Sequence, residues 1–239
     1  MTTGVPPAGQ CRIDHAQARS VTLDDAVLKE NRILSGHASG PFAESYHLLR
    51  TRILHRFRQN GWNSLAVTSP RASEGKTLTA INLAISMSRL IGYSVLLVDA
   101  DLRHPAVLEH LGVPQRRGFR DYLTAGIPVD ELLIRPDRLD DLVILPGGQA
   151  LDDSVGIMNP SRLRQLASDL KSRARNRIVI FDLPPLRTSP RAQAILPCVD
   201  AALLVIEDGV TTRQDAERAA QMLAGTTLVG SVLNKARGA

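Results

Sequence analysis

The chain predicts an α/β fold: a mostly parallel central sheet flanked by helices, with a helical arm on its N-terminal side. Three observations carry this. Short continuous apolar runs recur at Leu65–Val67, Tyr93–Val98, Leu142–Leu145, Ile178–Phe181 and Ala201–Ile206, and Leu228–Leu233 closes the sheet. They are too short for buried helices and lack polar alternation, which marks strands covered on both faces. Helix-patterned stretches separate most of them, the spacing of βαβ units and a parallel sheet. Three runs lead into groups that carry chemistry: Gly75-Lys76-Thr77, then Asp99, then Asp182. Right-handed crossovers place the C-terminal ends of such strands on one edge, where open α/β sheets hold their ligands.

The 239 residues suit one domain or one domain with an appendage. Aromatics make up 3%, so the core is expected to be mostly Leu, Ile, Val and Ala. The formal charge of +5 comes chiefly from arginine, Lys29, Lys76, Lys171 and Lys235 being the only lysines. Such a balance favours acidic partners: nucleotides, nucleic acid or an anionic membrane face. Cys11 and Cys198 have neither metal nor redox spacing, and a reducing compartment is the simplest setting. No apolar run approaches the roughly 20 residues that span a bilayer, and the N-terminus lacks a signal-peptide layout. The expectation is a cytoplasmic protein that meets a membrane only through a partner.

In chain order, residues 1–40 contain Pro6-Pro7 and little periodicity, and read as a flexible tail with a short helix near Leu23 to Leu34. The domain proper is expected from 41 to 239. It opens with a helix in which Tyr46, Leu49, Ile53 and Phe57 fall at helical spacing with Arg50, Arg52, Arg56 and Arg58 between them. That pattern fits a helix packed on its own domain with a solvated basic face, or a docking helix over 42–60. Short helices are expected from Leu108 to Ile134, and a helix starting with proline over Pro160 to Arg173. An amphipathic helix over Thr211 to Leu223 precedes the last strand.

Ser69 to Thr77, SPRASEGKT, stands between a strand and a helix, the context of a phosphate-binding loop. Backbone N–H groups and the helix N-terminus would face an anion, with the Lys76 ammonium at the outer phosphates. The Thr77 hydroxyl is an oxygen ligand suited to Mg²⁺. Pro70 and Ser73 depart from a glycine-rich loop. Asp99-Ala100-Asp101-Leu102-Arg103 and Asp182-Leu183-Pro184-Pro185 close the next two site strands, and Asp182 fits a carboxylate near a metal.

Gly-Lys-Thr, then VLLVDADLR, then IVIFDLPP together resemble the bacterial tyrosine kinase family, itself similar to P-loop ATPases of the cell-division (MinD) and plasmid-partition (ParA) type with a deviant Walker motif. The resemblance covers roughly Phe42 to Lys235 and points to kinases encoded with exopolysaccharide export machinery. It implies ATP and Mg²⁺ as cofactors. Ser73, Glu74, Gly75, Lys76, Thr77, Leu78, Arg103 and Asn234 would bind nucleotide, with Asn234 at the adenine edge. Thr77, Asp99 and Asp182 would serve the metal. Lys76, Asp99, Asp101 and Asp182 would be catalytic, one of the first two aspartates accepting the tyrosine proton. It further implies a membrane-embedded co-polymerase as activator, protein tyrosines as substrates and self-association through Glu44, His47 and Arg50. His47 replaces an arginine of the family's docking helix. The family's tyrosine-rich tail has no counterpart before Ala239, and Tyr46, Tyr93 and Tyr122 sit in packing contexts, so substrates are expected on other proteins. Two other readings stand beside the kinase: a nucleotide-gated switch without phosphotransfer, and, ranked last, a partition-type ATPase on DNA.

Overall fold

A computed structural model describes residues 18–35, 39–139, 141–150, 162–163, 165–166, 169–170 and 177–236. The apolar runs become the strands β2 (Ser64–Thr68), β3 (Ser94–Asp99), β5 (Leu142–Leu145), β6 (Arg177–Asp182), β7 (Ala201–Glu207) and β8 (Thr227–Asn234). Alternate side chains enter two separate cores, as a period of two requires. Leu65, Val67, Val95, Leu97, Ile178 and Ile180 join one. Ala66, Leu96, Val98, Val179 and Phe181 join the other. Cover on both faces explains why β2, β3, β5, β6 and β7 read as apolar runs, whereas β8 is an edge strand and largely exposed.

With β1 (Arg19–Val21) and β4 (Ile134–Pro136), the strand order is β1-β4-β5-β3-β6-β2-β7-β8. All pairs are parallel except β4 with β5, which meet antiparallel at Ile134 and Ile144. The first core lies under α1 (Asp25–Glu30), α2 (Pro41–Asn60), α3 (Lys76–Ser88) and α4 (Val107–His110). The second lies under α5 (Phe119–Ala125), α6 (Val129–Leu132), α7 (Pro190–Ile195) and α8 (Arg213–Met222). All of α3 except Leu78 is buried, because α2 and the N-terminal arm cover the side turned away from the sheet. Helix α2 begins with Pro41 at its first turn and stops at Gly61, which takes the left-handed conformation at φ 68°.

Residues 18–35 contain the expected short helix as α1, but they pack on the domain instead of forming a tail. Arg19–Val21 forms β1 beside β4 (Ile134–Pro136), and α1 is capped by the Asp24 side chain on Ala26 N at 2.8 Å. Val21, Leu23, Leu28, Ile33 and Leu34 are buried. The Asn82 side chain accepts from Leu34 N at 2.8 Å and donates to Arg32 O at 3.0 Å, tying the arm to the middle of α3. Three-residue strands such as β1 and β4 carry no periodicity to read. The remainder of the expected tail, with Cys11, lies outside the described residues. So does most of the expected helix at Pro160 to Arg173; residues 162–163, 165–166 and 169–170 are helical, with Leu163, Leu166 and Leu170 buried.

Candidate active site

The loop from Ser69 to Thr77 leaves β2 and enters α3 at Lys76. Gly75 stands at the cap with φ 92°, and no side chain caps the helix, so its first N–H groups are available to an anion. A Cβ on Gly75 would fall 2.0 Å from Asn234 Nδ2. Glycine is required there on conformational and steric grounds alike. Ser73 also takes a left-handed conformation, φ 65°, where glycine is easier.

Neighbouring elements, rather than additional glycines, hold this loop. Asn234 Nδ2 donates to Glu74 O at 2.9 Å, and Lys235 Nζ donates to Ser73 O at 2.8 Å while paired with Glu207 at 2.9 Å. The buried Glu74 carboxylate accepts from Arg71 N at 2.8 Å and from the Thr211 hydroxyl. On the other side the Asp182-x-x-Pro segment laces onto the loop. Thr68 Oγ1 donates to Pro184 O at 2.9 Å, and Leu186 N donates to Ser69 O at 2.9 Å. Buried Asp215 joins both segments through Arg71 and Arg187, each at 2.6 Å. The hydroxyl of Thr212 also donates to Asp215 and holds its carboxyl below the usual range, with the two arginines adding to that effect.

At the heart of the site, β3 and β6 are neighbours with Asp99 and Asp182 in register. Lys76 Nζ stands 3.0 Å from Asp101 Oδ2 and 4.0 Å from Asp182 Oδ1. Thr77 Oγ1 donates to Asp182 Oδ2 at 2.7 Å, and Asp99 Oδ2 accepts from Val107 N at 3.0 Å. Asp99 Oδ1 and Asp182 Oδ1 are buried without a hydrogen-bond donor. Burial, then the Asp182 charge, pushes the Asp99 carboxyl well above its ordinary range. Burial raises Asp182 as well, against the opposing pull of Lys76. For Lys76, burial alone would depress the ammonium, but Asp182 and Asp101 outweigh it and the value is raised. Three carboxylates thus share one ammonium.

A cleft of about 1310 Å³ opens above this group. Ser73, Gly75, Lys76, Thr77, Leu78, Asp101, Arg103 and Asn234 line it. Asp99 and Asp182 are not part of its wall; both are buried, as is Asp101, which lines it, and Glu74 is buried within the loop. The expected docking residues separate. Arg50 Nη1 donates to Ser86 O at 2.7 Å, while Glu44 is exposed and His47 half-buried. Tyr46 is buried, and burial raises its phenol pKa. The Tyr93 hydroxyl accepts from Arg58 at 3.0 and 3.1 Å, and Tyr122 packs against the core.

The sequence reading missed Arg71, Arg187, Thr211, Asp215 and Lys235 as loop supports. Thr212-x-x-Asp215 was visible as a capping box. Its partnership with two distant arginines was not.

A phosphate loop running into a buried helix, with aspartates at the ends of adjacent parallel strands, defines a P-loop nucleotide-binding domain. The chain belongs to the CobQ/CobB/MinD/ParA nucleotide binding domain family, whose profile matches residues 65–239. It is 29% identical over 194 residues to tyrosine-protein kinase YwqD of Bacillus subtilis (strain 168), covering 80% of each chain. Its fold superposes on the chimerical protein CapA2B2 with a TM-score of 0.77 at 21% identity, covering 92% of this chain and 94% of the other. It superposes on the septum site-determining protein MinD of Pyrococcus horikoshii OT3, complexed with Mg-ADP, with a TM-score of 0.61 at 23% identity, covering 72% and 69%. Bacterial tyrosine kinases and MinD-type ATPases are the two groups that the motifs resemble. Among the described residues, no helix is long and apolar enough to cross a membrane.

Proposed function

We propose that this chain is an ATP-dependent protein-tyrosine kinase serving exopolysaccharide or capsule production, acting at the inner face of the membrane through a membrane-embedded partner. The observation that carries the reading is the Lys76 ammonium, 3.0 Å from Asp101 and 4.0 Å from Asp182, at the mouth of a helix N-terminus. The tyrosine kinases among its relatives and the motif sequence supply the reaction class.

The loop N–H groups and Lys76 bind the triphosphate and orient its terminal phosphorus toward the cleft. Asn234, which lines the same cleft, would meet the adenine edge. Asp101, the carboxylate in the cleft wall, is placed to take the phenolic proton as the tyrosine oxygen attacks. Positioning and charge neutralisation are most of what in-line phosphoryl transfer needs. The donor set fits magnesium: a threonine hydroxyl, and buried carboxylates at Asp99 and Asp182 with unsatisfied oxygens and surplus negative charge. Thr77, Asp182 and Asp99 would hold the ion, which when bound supplies neutralisation of the phosphate charge. Glu44 and His47 on α2 remain the positions for self-association, with Arg50 buttressing α2 on α3 instead.

Incubating the protein with Mg-ATP, an acceptor protein and the membrane partner is expected to yield phosphotyrosine. Lys76→Met removes it, and Asp101→Asn lowers turnover by about 10²–10⁴-fold with ATP binding retained. Absence of phosphotyrosine with every acceptor rejects the kinase. One observation favours the nucleotide-gated switch: Tyr46 and Tyr93 are engaged within the fold. That reading requires ATP-dependent partner binding with no transfer to any acceptor.

A further inference from the structure

The cleft of about 1310 Å³ exceeds the roughly 300–1,000 Å³ of a pocket for one small molecule. Its walls divide by chemistry. The phosphate loop and the end of β8 form the nucleotide part. The turn after α1, one face of α2 and the segment from Arg103 to His110 form the other. Arg32 and Arg52 are exposed in this second part. Beside them Phe42 and Leu48 leave 44% and 53% of their surface in solvent. Asp101 is the sole carboxylate lining the cleft among the described residues, and it is paired with Lys76. Two guanidinium groups over an apolar wall select for an anionic, partly hydrophobic occupant and repel a cationic one. Because these cations line a concave cleft, a peptide can follow them inward and a flat bilayer cannot.

We propose that this half of the cleft takes a tyrosine flanked by Asp or Glu on another protein. The ring packs against Phe42 and Leu48, and the acidic neighbours meet Arg32 and Arg52. The proposal rests on the kinase reading and names its substrate class. In the transfer, the phenolic oxygen forms a bond to the γ-phosphorus. The bond from that phosphorus to the β,γ-bridging oxygen breaks, ADP leaves with the electron pair, and the phenolic proton passes through Asp101 to solvent.

The test uses fluorescent peptides of equal length with one tyrosine flanked by Glu, Gln or Lys, titrated into the full chain with Mg-ATP. Binding is read by anisotropy and transfer by phosphotyrosine. The Glu peptide is expected to bind at least about 10-fold more tightly than the Gln peptide, an advantage that shrinks at high salt. Arg32→Asn with Arg52→Gln should erase most of the advantage and leave Gln-peptide binding unchanged. Asn suits position 32, where φ is 56°. Arg52→Glu should shift the preference toward the Lys peptide, a gain that misfolding cannot mimic. Equal binding of Glu and Gln peptides overturns the proposal, and phosphotyrosine on both then leaves the kinase standing. Discrimination without phosphotyrosine overturns the kinase and keeps the acidic-segment site. Equal peptide binding, with loss of phosphatidylglycerol-vesicle binding in the double variant, assigns the cations to lipid and overturns the proposal.

Discussion

Asp99 shows what the site costs the fold. Its carboxyl is buried beside Asp182, and one oxygen lacks a donor. With its native pKa raised, the folded state holds a proton that the unfolded chain releases above about pH 4. Stability therefore falls as pH rises from that value through the raised native pKa. Asp99→Asn, which keeps an acceptor for Val107 N, is expected to stabilise the nucleotide-free protein at pH 7 by about 1–2 kcal/mol. The difference from wild type should vanish near pH 3, as melting curves across pH will show. The same variant should lose phosphotransfer, the trade that a functional site imposes on stability. Gly75→Ala meets both a positive φ and the Asn234 amide, and should weaken nucleotide binding far more than a surface glycine change would. Equal affinity for Gly75→Ala and wild type in a nucleotide titration would count against this loop geometry.

At the scale of elements, the phosphate loop takes its shape from its neighbours. Pro70 and Ser73 occupy places where a glycine-rich loop would bend freely, but Asn234 and Lys235 bond the loop carbonyls from the end of β8. Lys235→Ala is expected to weaken ATP binding roughly 5–10-fold, since a charge-assisted hydrogen bond contributes about 1.5–3 kcal/mol, part of it restored by water. Calorimetric titration with Lys235→Arg as the conservative comparison checks this, and unchanged affinity in Lys235→Ala rejects the clamp. These supports were illegible in the sequence because they join residues more than a hundred positions apart. Local patterns were legible. Tyr46, Leu49, Ile53 and Phe57 at helical spacing marked α2, and the buried strands announced themselves by uninterrupted apolar character. In residues 18–35 the short helix near Leu23 to Leu34 was legible, while β1 was not, since it is three residues long and pairs only with β4.

Across the whole molecule, strand order turns separate motifs into one site. Placing β6 between β3 and β2 brings Asp182 beside Asp99 on one side and the Lys76 loop on the other. The sequence could show three strand ends with chemistry on them, and parallel connectivity required that they share an edge. It could not show that Asp101, itself buried, would line the cleft while Asp99 and Asp182 would not, because that depends on how the chain turns after β3. Magnesium-dependent ATP affinity, measured for wild type, Lys76→Met and Asp182→Asn, tests most directly whether these groups act on one nucleotide. The account predicts that Lys76→Met binds ATP at least about 10²-fold more weakly and that Asp182→Asn loses the magnesium dependence. Wild-type magnesium dependence in Asp182→Asn, or undiminished ATP binding in Lys76→Met, would contradict it.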